Sequence, residues 1–159
     1  MDIAAIGLGS NMGDKRANIA AAIAALEKVP GVRVFARSGD YRTAPWGFED
    51  QDWFVNACVL VATSLTPRAL LEACLAIEQS LGRQRDLRWG PRLIDLDVLF
   101  CGGRAVSEPG LVLPHPHIAA RAFVLAPLAE IAPAADIGGT TVAAALERVG
   151  TAGIERLAP

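Results

Sequence analysis

The sequence predicts a single α/β domain in which helices pack against a largely antiparallel sheet. The chain has 159 residues, of which 52% are hydrophobic, and this size and composition fit one compact core. Its predicted elements follow the order β-α-β-β-α-β and then helices, which is typical of a two-layer or three-layer sandwich. No repeat or linker divides the sequence, so residues 1–159 are expected to form one domain.

The first half of the chain predicts three strands and one helix. An apolar run at residues 3–8 predicts a short buried strand. Asp14 can cap the helix that follows, and Pro30 and Gly31 end it. Alternation predicts a second strand at residues 32–41, and a long loop follows at residues 42–52. The nearly continuous apolar run at residues 54–63 predicts the third strand.

The second half predicts one more strand and three helices. Thr66 as the N-cap and Pro67 at the first helical position begin a helix that Gly82 ends. Residues 93–100 predict a strand, followed by a turn at residues 101–103. Helical spacing predicts a helix at residues 118–131, kinked near Pro127, and a last helix at residues 141–149 that Gly150 closes.

Charge and cysteine content exclude several classes of protein. The net charge of -2 argues against a nucleic-acid partner bound through a general positive field. Of the 15 basic residues 13 are arginines, a preference that suits phosphate or carboxylate ligands but that a biased composition would also produce. The three cysteines are odd in number and widely spaced, which favours a reducing compartment. Without a signal-peptide or membrane-spanning pattern, we expect a cytoplasmic protein with no membrane partner.

Two aspartates flank one apolar residue on the fourth predicted strand. Because side chains alternate along a strand, Asp95 and Asp97 are expected to point the same way, while Ile94, Leu96 and Val98 point to the core. Such a carboxylate pair is unfavourable unless a cation neutralises it, and Mg²⁺ binds one or two carboxylates together with substrate phosphates. Salt bridges to nearby arginines are the alternative explanation.

An arginine-rich segment precedes this strand. Arg83, Arg85, Arg88 and Arg92 outnumber the acidic Asp86 within residues 83–92, which indicates a local anion site. Cations that bridge phosphate oxygens and guanidinium groups that stabilise charge are what polyphosphate transfer requires. A solvated loop rich in arginine is the simpler alternative.

Several common sites lack support in the sequence. There is no GxxxxGK[ST] P-loop, and the glycines at 7, 9 and 13 do not fit the GxGxxG spacing. With only His115 and His117, a zinc site rich in histidine or a catalytic triad has little support. His115 could donate a hydrogen bond to a phosphate, or be an ordinary loop histidine.

A polar amide and several aromatic rings suggest a flat ligand. Asn56 interrupts the apolar third strand, and a side-chain amide can pair with both a donor and an acceptor on the edge of a heterocycle. Trp89 lies in the arginine-rich segment. The rings could stack on a ligand or anchor loops to the core. The other clustered rings are Trp46, Phe48, Trp53 and Phe54.

Taken in order, these motifs resemble the 6-hydroxymethyl-7,8-dihydropterin pyrophosphokinases of folate biosynthesis, over roughly residues 6–133. The matching blocks are GLGSNMGD from Gly7, YRTAPWG from Tyr41, FVNA from Phe54, GRQRDLRWGPRLIDLDVLFCG from Gly82 and LPHPHIAARAFVLAPLAEIAP from Leu113. Each block is weak alone, but their combination in this order is highly specific.

The resemblance implies a fold, a reaction and a set of site residues. The implied fold is a ferredoxin-like α-β-α sandwich, and the implied reaction transfers pyrophosphate from ATP to the pterin hydroxymethyl group with two Mg²⁺ ions, giving AMP. Asp95 and Asp97 are the implied metal ligands, and Arg83, Arg92 and Asp97 the implied catalytic residues. ATP binding is implied for Arg83, Arg85, Trp89, Arg92, His115 and Arg121. Pterin binding is implied for Thr43, Ala44, Trp46, Phe54, Asn56, Trp89 and Phe123.

Two other functions compete with this one. An ordinary ATP-dependent kinase would transfer a single phosphoryl group and release ADP. A non-catalytic nucleotide-binding or pterin-binding module would be expected to lack a metal ligand, and the intact Asp95 and Asp97 argue against it. The expected partners are the two small-molecule substrates, and a monomer is expected.

Overall fold

Six strands of the described residues form an antiparallel sheet. We describe a computed structural model, which covers residues 1–43, 53–82 and 93–159 of the chain. The strands of this sheet follow the spatial order β5-β1-β4-β3-β8, and β2 also pairs with β4. The elements in chain order are β1 (Asp2–Ser10), α1 (Lys15–Glu27), β2 (Val32–Arg37), β3 (Tyr41–Thr43), β4 (Phe54–Thr63), α2 (Pro67–Ser80), β5 (Asp95–Cys101), β6 (Val106–Glu108), β7 (Leu111–Leu113), a 3₁₀ helix (Ile118–Ala120), α3 (Ala122–Ile131), α4 (Val142–Val149) and β8 (Ile154–Arg156).

Helices cover both faces of the sheet, so the core has two layers. On one face, α1 and α2 bury Leu26 and Leu70 against Ile6 and Val59. On the other, α3 and α4 pack with the 3₁₀ helix, and Leu125 lies among the side chains of this second core. The expected ferredoxin-like α-β-α sandwich with an antiparallel sheet is confirmed.

The helix signals read from the sequence are confirmed at atomic detail. The Asp14 side chain accepts a hydrogen bond from the Ala17 N–H at 3.1 Å and caps α1. Thr66 caps α2 in the same way through the Ala69 N–H, with Pro67 as the first helical residue. These side chains satisfy N–H groups that have no partner inside the helix.

The strand predicted at residues 32–41 is two strands. β2 ends at Arg37, and β3 begins only at Tyr41. Between them the Cys58 N–H donates to the Ser38 Oγ at 2.9 Å, and Asp40 accepts from two arginine side chains. Side-chain hydrogen bonds of this kind compete with the strand ladder, so the strand is interrupted here.

The helix predicted at residues 118–131 breaks earlier than expected. Arg121 has extended backbone, with φ −108° and ψ 96°, and it separates the 3₁₀ helix from α3. α3 then continues through Pro127 to Ile131, and the kink expected near Pro127 stays a prediction.

Three short strands of the described residues were not predicted from the sequence. β6 and β7 form a hairpin of three-residue strands joined through Gly110, whose φ of +74° suits a residue without a side chain. β8 pairs with β3 near the end of the sequence. No helix in the described ranges is long and apolar enough to cross a bilayer.

Candidate functional site

Asp95 and Asp97 project from one face of β5. Ile94, Leu96 and Val98 are buried in the core, whereas Asp95 is half-buried and Asp97 is exposed. The alternation predicted from the sequence is therefore confirmed. Two carboxylates with this shared direction suit a divalent cation that also binds substrate phosphates. No group of three histidine, cysteine or acidic residues that could hold a metal is found within residues 1–43, 53–82 and 93–159.

Two glycines of β1 separate the acidic residues from β4. In the strand register, Gly9 lies between Asp95 and Asn56, and Gly7 lies between Asp97 and Cys58. Neighbouring strands are about 4.8 Å apart, so the Cα atoms of Asp95 and Asn56 are about 10 Å apart. Because Gly7 and Gly9 carry no side chains, no side chain of β1 stands between the acidic residues and β4, and we call this strip of the sheet the glycine trough.

Asn56 lines the far side of the glycine trough. Its Nδ2 donates to the Thr43 Oγ1 at 2.9 Å, and both side chains are buried. This bond orients the amide, and the Oδ1 faces Gly9, where a Cβ would lie only 2.8 Å from it. The Phe54 ring approaches the same position, at 3.9 Å. The polar residue that interrupts the apolar strand thus has a buried partner and faces the trough.

The negative charge of Asp97 acts on Cys58, on the other side of the glycine trough. Burial raises the pKa of the Cys58 thiol well above its ordinary range, and the charge of Asp97 raises it further. The Sγ of Cys58 lies 3.7 Å from the Val124 carbonyl of α3. This thiol is held neutral beside the acidic pair, and it has none of the character of a nucleophile.

His115 is held in one neutral form. Burial, together with the positive charges of Arg121 and His117, lowers the pKa of its ring from 6.5 to about 4. The His117 N–H donates to the His115 Nδ1 at 3.3 Å, which places the ring proton on Nε2. A neutral imidazole with this tautomer can donate a hydrogen bond from Nε2 to a phosphate oxygen.

A groove of about 260 Å³ begins at Asp97. Its walls are largely apolar and come from α2, β5 and the β6–β7 hairpin. The sequence indicated only Asp97 and His115 of its lining residues as site candidates. The hairpin was not predicted, because strands of three residues are too short to show alternation. The lining residues are Leu71, Asp97, Val98, Gly110, Leu111, Val112, His115 and Pro116.

The remaining described candidates lie at the start of α3. The Arg121 guanidinium lies 5.8 Å from the centroid of the Phe123 ring, within the range of a cation–π contact. The charge of Arg121 also lowers the pKa of His115, so Arg121 lies near the two other side chains.

Six candidates lie outside the described residues: Ala44, Trp46, Arg83, Arg85, Trp89 and Arg92. The described residues that flank them converge on the site. Thr43 pairs with Phe54 beside the trough, and Leu93 is two residues from Asp95. A Cβ on Gly82 would lie 3.4 Å from Leu93, so the two flanks of residues 83–92 meet.

The fold and the site together define an antiparallel α-β-α sandwich that presents a carboxylate pair opposite a buried amide. Residues 5–133 match the family model of 7,8-dihydro-6-hydroxymethylpterin-pyrophosphokinase, HPPK. The chain belongs to this family.

Relatives agree with this assignment, and solved structures share the fold. A 2-amino-4-hydroxy-6-hydroxymethyldihydropteridine pyrophosphokinase of Methylorubrum extorquens is 59% identical over 99% of both chains. The Pseudomonas aeruginosa protein of the same name is 48% identical, over 80% of this chain and 79% of its own. The fold resembles that of an HPPK-DHPS chain in complex with substrates, with a TM-score of 0.71 at 16% identity, over 92% of this chain and 43% of that one. For wild-type Plasmodium falciparum HPPK-DHPS with SDX-DHP, the TM-score is 0.72 at 14% identity, over 98% and 47%. The chain spans less than half of either HPPK-DHPS chain.

Proposed function

We propose that the glycine trough and the groove beside it carry out the reaction of this family in folate biosynthesis. That reaction transfers pyrophosphate from ATP to the hydroxymethyl group of 6-hydroxymethyl-7,8-dihydropterin and releases AMP. The observation that carries the proposal is the placement of Asp95 and Asn56 on opposite sides of Gly9. A flat heterocycle that contacts the amide would direct its substituent toward the carboxylates.

Asn56, Thr43 and Phe54 would bind the pterin. Because Thr43 accepts from the Nδ2, the Oδ1 of Asn56 is directed to the trough as an acceptor for an N–H group of the heterocycle. Phe54 would stack on the ring. Phe123 is assigned the opposite side of the ring by family resemblance, as are contacts from Ala44, Trp46 and Trp89.

Asp95 and Asp97 would hold Mg²⁺, and the resemblance implies two ions. Carboxylate oxygens are the ligands that Mg²⁺ prefers, and a pair on an open strand end leaves room for phosphate oxygens. When bound, the metal neutralises phosphate charge and can lower the pKa of the attacking hydroxyl. The chain's own contribution is to fix both carboxylates on one strand, aimed at the trough.

The groove that begins at Asp97 would bind ATP. Its apolar wall, formed by Leu71 and Val98, suits the nucleoside. Asp97 also lines the groove, so phosphates bound there would lie beside the proposed metal ligands. The neutral His115 would donate from Nε2 to a phosphate oxygen, and Arg121 would add a positive charge. Arg83, Arg85 and Arg92 are proposed to bind phosphates and, for Arg83 and Arg92, to stabilise the transferring group.

The nucleotide product tests the reaction. Purified protein is incubated with ATP, Mg²⁺ and 6-hydroxymethyl-7,8-dihydropterin, and the nucleotides are separated by chromatography. We expect AMP and a pyrophosphorylated pterin. ADP as the product would overturn the proposal in favour of a single-phosphoryl kinase. Binding of both substrates without turnover would indicate a binding module.

We further propose that residues 1–159 act as one pyrophosphokinase domain, monomeric and cytoplasmic. Pairing of β8 with β3 supports a single domain, since late residues complete the sheet. Cys58, Cys74 and Cys101 are buried free thiols, as expected in a reducing compartment. Light scattering at assay concentration tests the monomer.

A further inference from the structure

Glu78 is a buried carboxylate that contacts the strand carrying the acidic pair. It lies near the end of α2 and is 1% exposed. Its Oε2 accepts a hydrogen bond from the backbone N–H of Leu96 at 2.7 Å. Leu96 is the residue between Asp95 and Asp97.

The topology of the sheet explains why this N–H needs a side-chain acceptor. β5 is at one end of the strand order in the described part of the chain, with β1 as its neighbour. N–H groups alternate in direction along an antiparallel strand, so those of Asp95 and Asp97 point toward β1 while that of Leu96 points away. Glu78 supplies the acceptor that a further strand would otherwise provide.

A carboxylate is a costly choice for this task. A buried carboxylate requires hydrogen-bond donors, and the Leu96 N–H supplies one of them. Burial, together with the nearby carboxyl groups of Glu78 and Asp97, raises the pKa of Cys74 to about 12. A bond of 2.7 Å from a backbone N–H to a side chain fixed in the core suits a role in holding β5 in place.

The hydrogen bond between Glu78 and Leu96 joins residues on the two sides of the arginine-rich segment in the sequence. Glu78 precedes residues 83–92 and Leu96 follows them, so the bond joins the helix before the segment to the strand after it. The meeting of Gly82 with Leu93 lies between these two anchor points.

We propose that Glu78 is a positioning residue that fixes Asp95 and Asp97 for metal-nucleotide binding by holding the Leu96 amide. This inference rests on the proposed function of the acidic pair. Partners that orient metal ligands are typically worth about 10-fold or more in metal affinity.

The test compares two conservative variants. Glu78→Gln keeps an oxygen acceptor at the same reach and removes the charge, whereas Glu78→Asp keeps the charge and shortens the reach by one methylene. We expect Glu78→Asp to weaken Mg²⁺ binding, measured calorimetrically with a non-hydrolysable ATP analogue, by about 10-fold. We expect Glu78→Gln to stay close to wild type.

Amide exchange supplies a readout that is independent of activity. In Glu78→Asp, the Leu96 N–H should exchange faster relative to the Val59 N–H, which lies in the centre of the sheet. Leu26→Ala is the control for general destabilisation, because Leu26 is fully buried on α1. It should lower the melting temperature and leave both the exchange ratio and the Mg²⁺ affinity unchanged.

Two results would overturn the inference: a Glu78→Asp protein that binds Mg²⁺ as wild type does, or a Glu78→Gln protein as impaired as Glu78→Asp. Asp97→Ala separates this failure from failure of the proposed function. If Asp97→Ala abolishes Mg²⁺ binding while Glu78→Asp does not, only the role of Glu78 is wrong. If Asp97→Ala has no effect, the proposed metal pair is wrong.

Discussion

Asn56 and Gly9 face each other on adjacent strands so closely that a side chain at position 9 would collide with the amide oxygen. A Cβ on Gly9 would lie 2.8 Å from the Asn56 Oδ1, which is nearer than Cβ atoms approach an oxygen in folded proteins. A Cβ on Gly7, in the same strand, would meet Leu99 at an ordinary 3.5 Å. Position 7 therefore has room for a Cβ, whereas position 9 does not.

We expect Gly9→Ala to reduce pterin affinity by more than 10-fold, because the new methyl group displaces the amide and fills the trough; the magnitude corresponds to about 1.4 kcal/mol. Gly7→Ala is the matched variant and should cost less. Both affinities are measured by calorimetric titration. Equal losses in the two variants would contradict the geometry.

Removal of Asp97 should abolish turnover without unfolding the protein. Asp97 is exposed, so Asp97→Ala opens no cavity in the core while it removes a proposed metal ligand. The measurement is a Mg²⁺-dependent coupled assay together with a thermal melt. Asp2→Ala removes a carboxylate at the other end of the sheet, where Asp2 pairs with Arg104, and serves as the control. Unchanged turnover in Asp97→Ala would refute the site.

Asn56→Ala should weaken pterin binding more than ATP binding, because the amide lies in the trough and not in the groove. Calorimetric titrations with each ligand measure the two losses separately. Losses of the same size for both ligands would show that Asn56 acts through the fold as a whole.

Thr43→Val should weaken pterin binding indirectly, through its effect on Asn56. The substitution leaves the buried Nδ2 of Asn56 without its acceptor, which costs about 1–3 kcal/mol of stability. Thr43→Ser keeps the hydroxyl group and should restore most of both stability and pterin affinity. Chemical denaturation gives the first quantity and titration the second. A serine variant as impaired as valine would argue against the hydrogen bond.

The folded protein should lose stability as the pH falls from 6.5 toward 4. The pKa of His115 is lowered to about 4 from an ordinary 6.5, so the unfolded chain binds a proton in this range before the folded protein does. Above pH 6.5 the His115 ring is neutral in both the folded and the unfolded protein, and its contribution to stability is fully present. His115→Asn should flatten this part of the stability curve. NMR titration of the ring checks the cause, and a midpoint near 6.5 would contradict it.

Local sequence signals predicted the parts of the site that lie on regular strands. The alternation of Asp95 and Asp97 follows from the period of a strand, and it needed no knowledge of the fold. Asn56 was conspicuous because it interrupts an apolar run, although its bond to Thr43 depends on the pairing of β3 with β4, which local patterns do not specify.

The parts that escaped prediction depend on contacts between distant segments. The groove beside Asp97 is formed by α2, β5 and a hairpin, and neither Leu71 nor Leu111 carries a local signal for a wall. The hydrogen bond of Glu78 escaped for the same reason, because an acidic residue in a helix is usually on the surface. Only the packing of α2 against β5 makes it a buried acceptor.

The pairing of β8 with β3 determines where the protein tolerates a fusion. Thr43, which orients Asn56, is paired on one side with Phe54 and on the other with Ile154. A tag placed after residue 159 would therefore be separated by only three residues from β8, the strand that supports the trough through β3. Asp2 lies at the opposite end of β1, about 23 Å from Gly9 at about 3.3 Å per residue. A tag joined before Met1 is the arrangement least able to disturb catalysis.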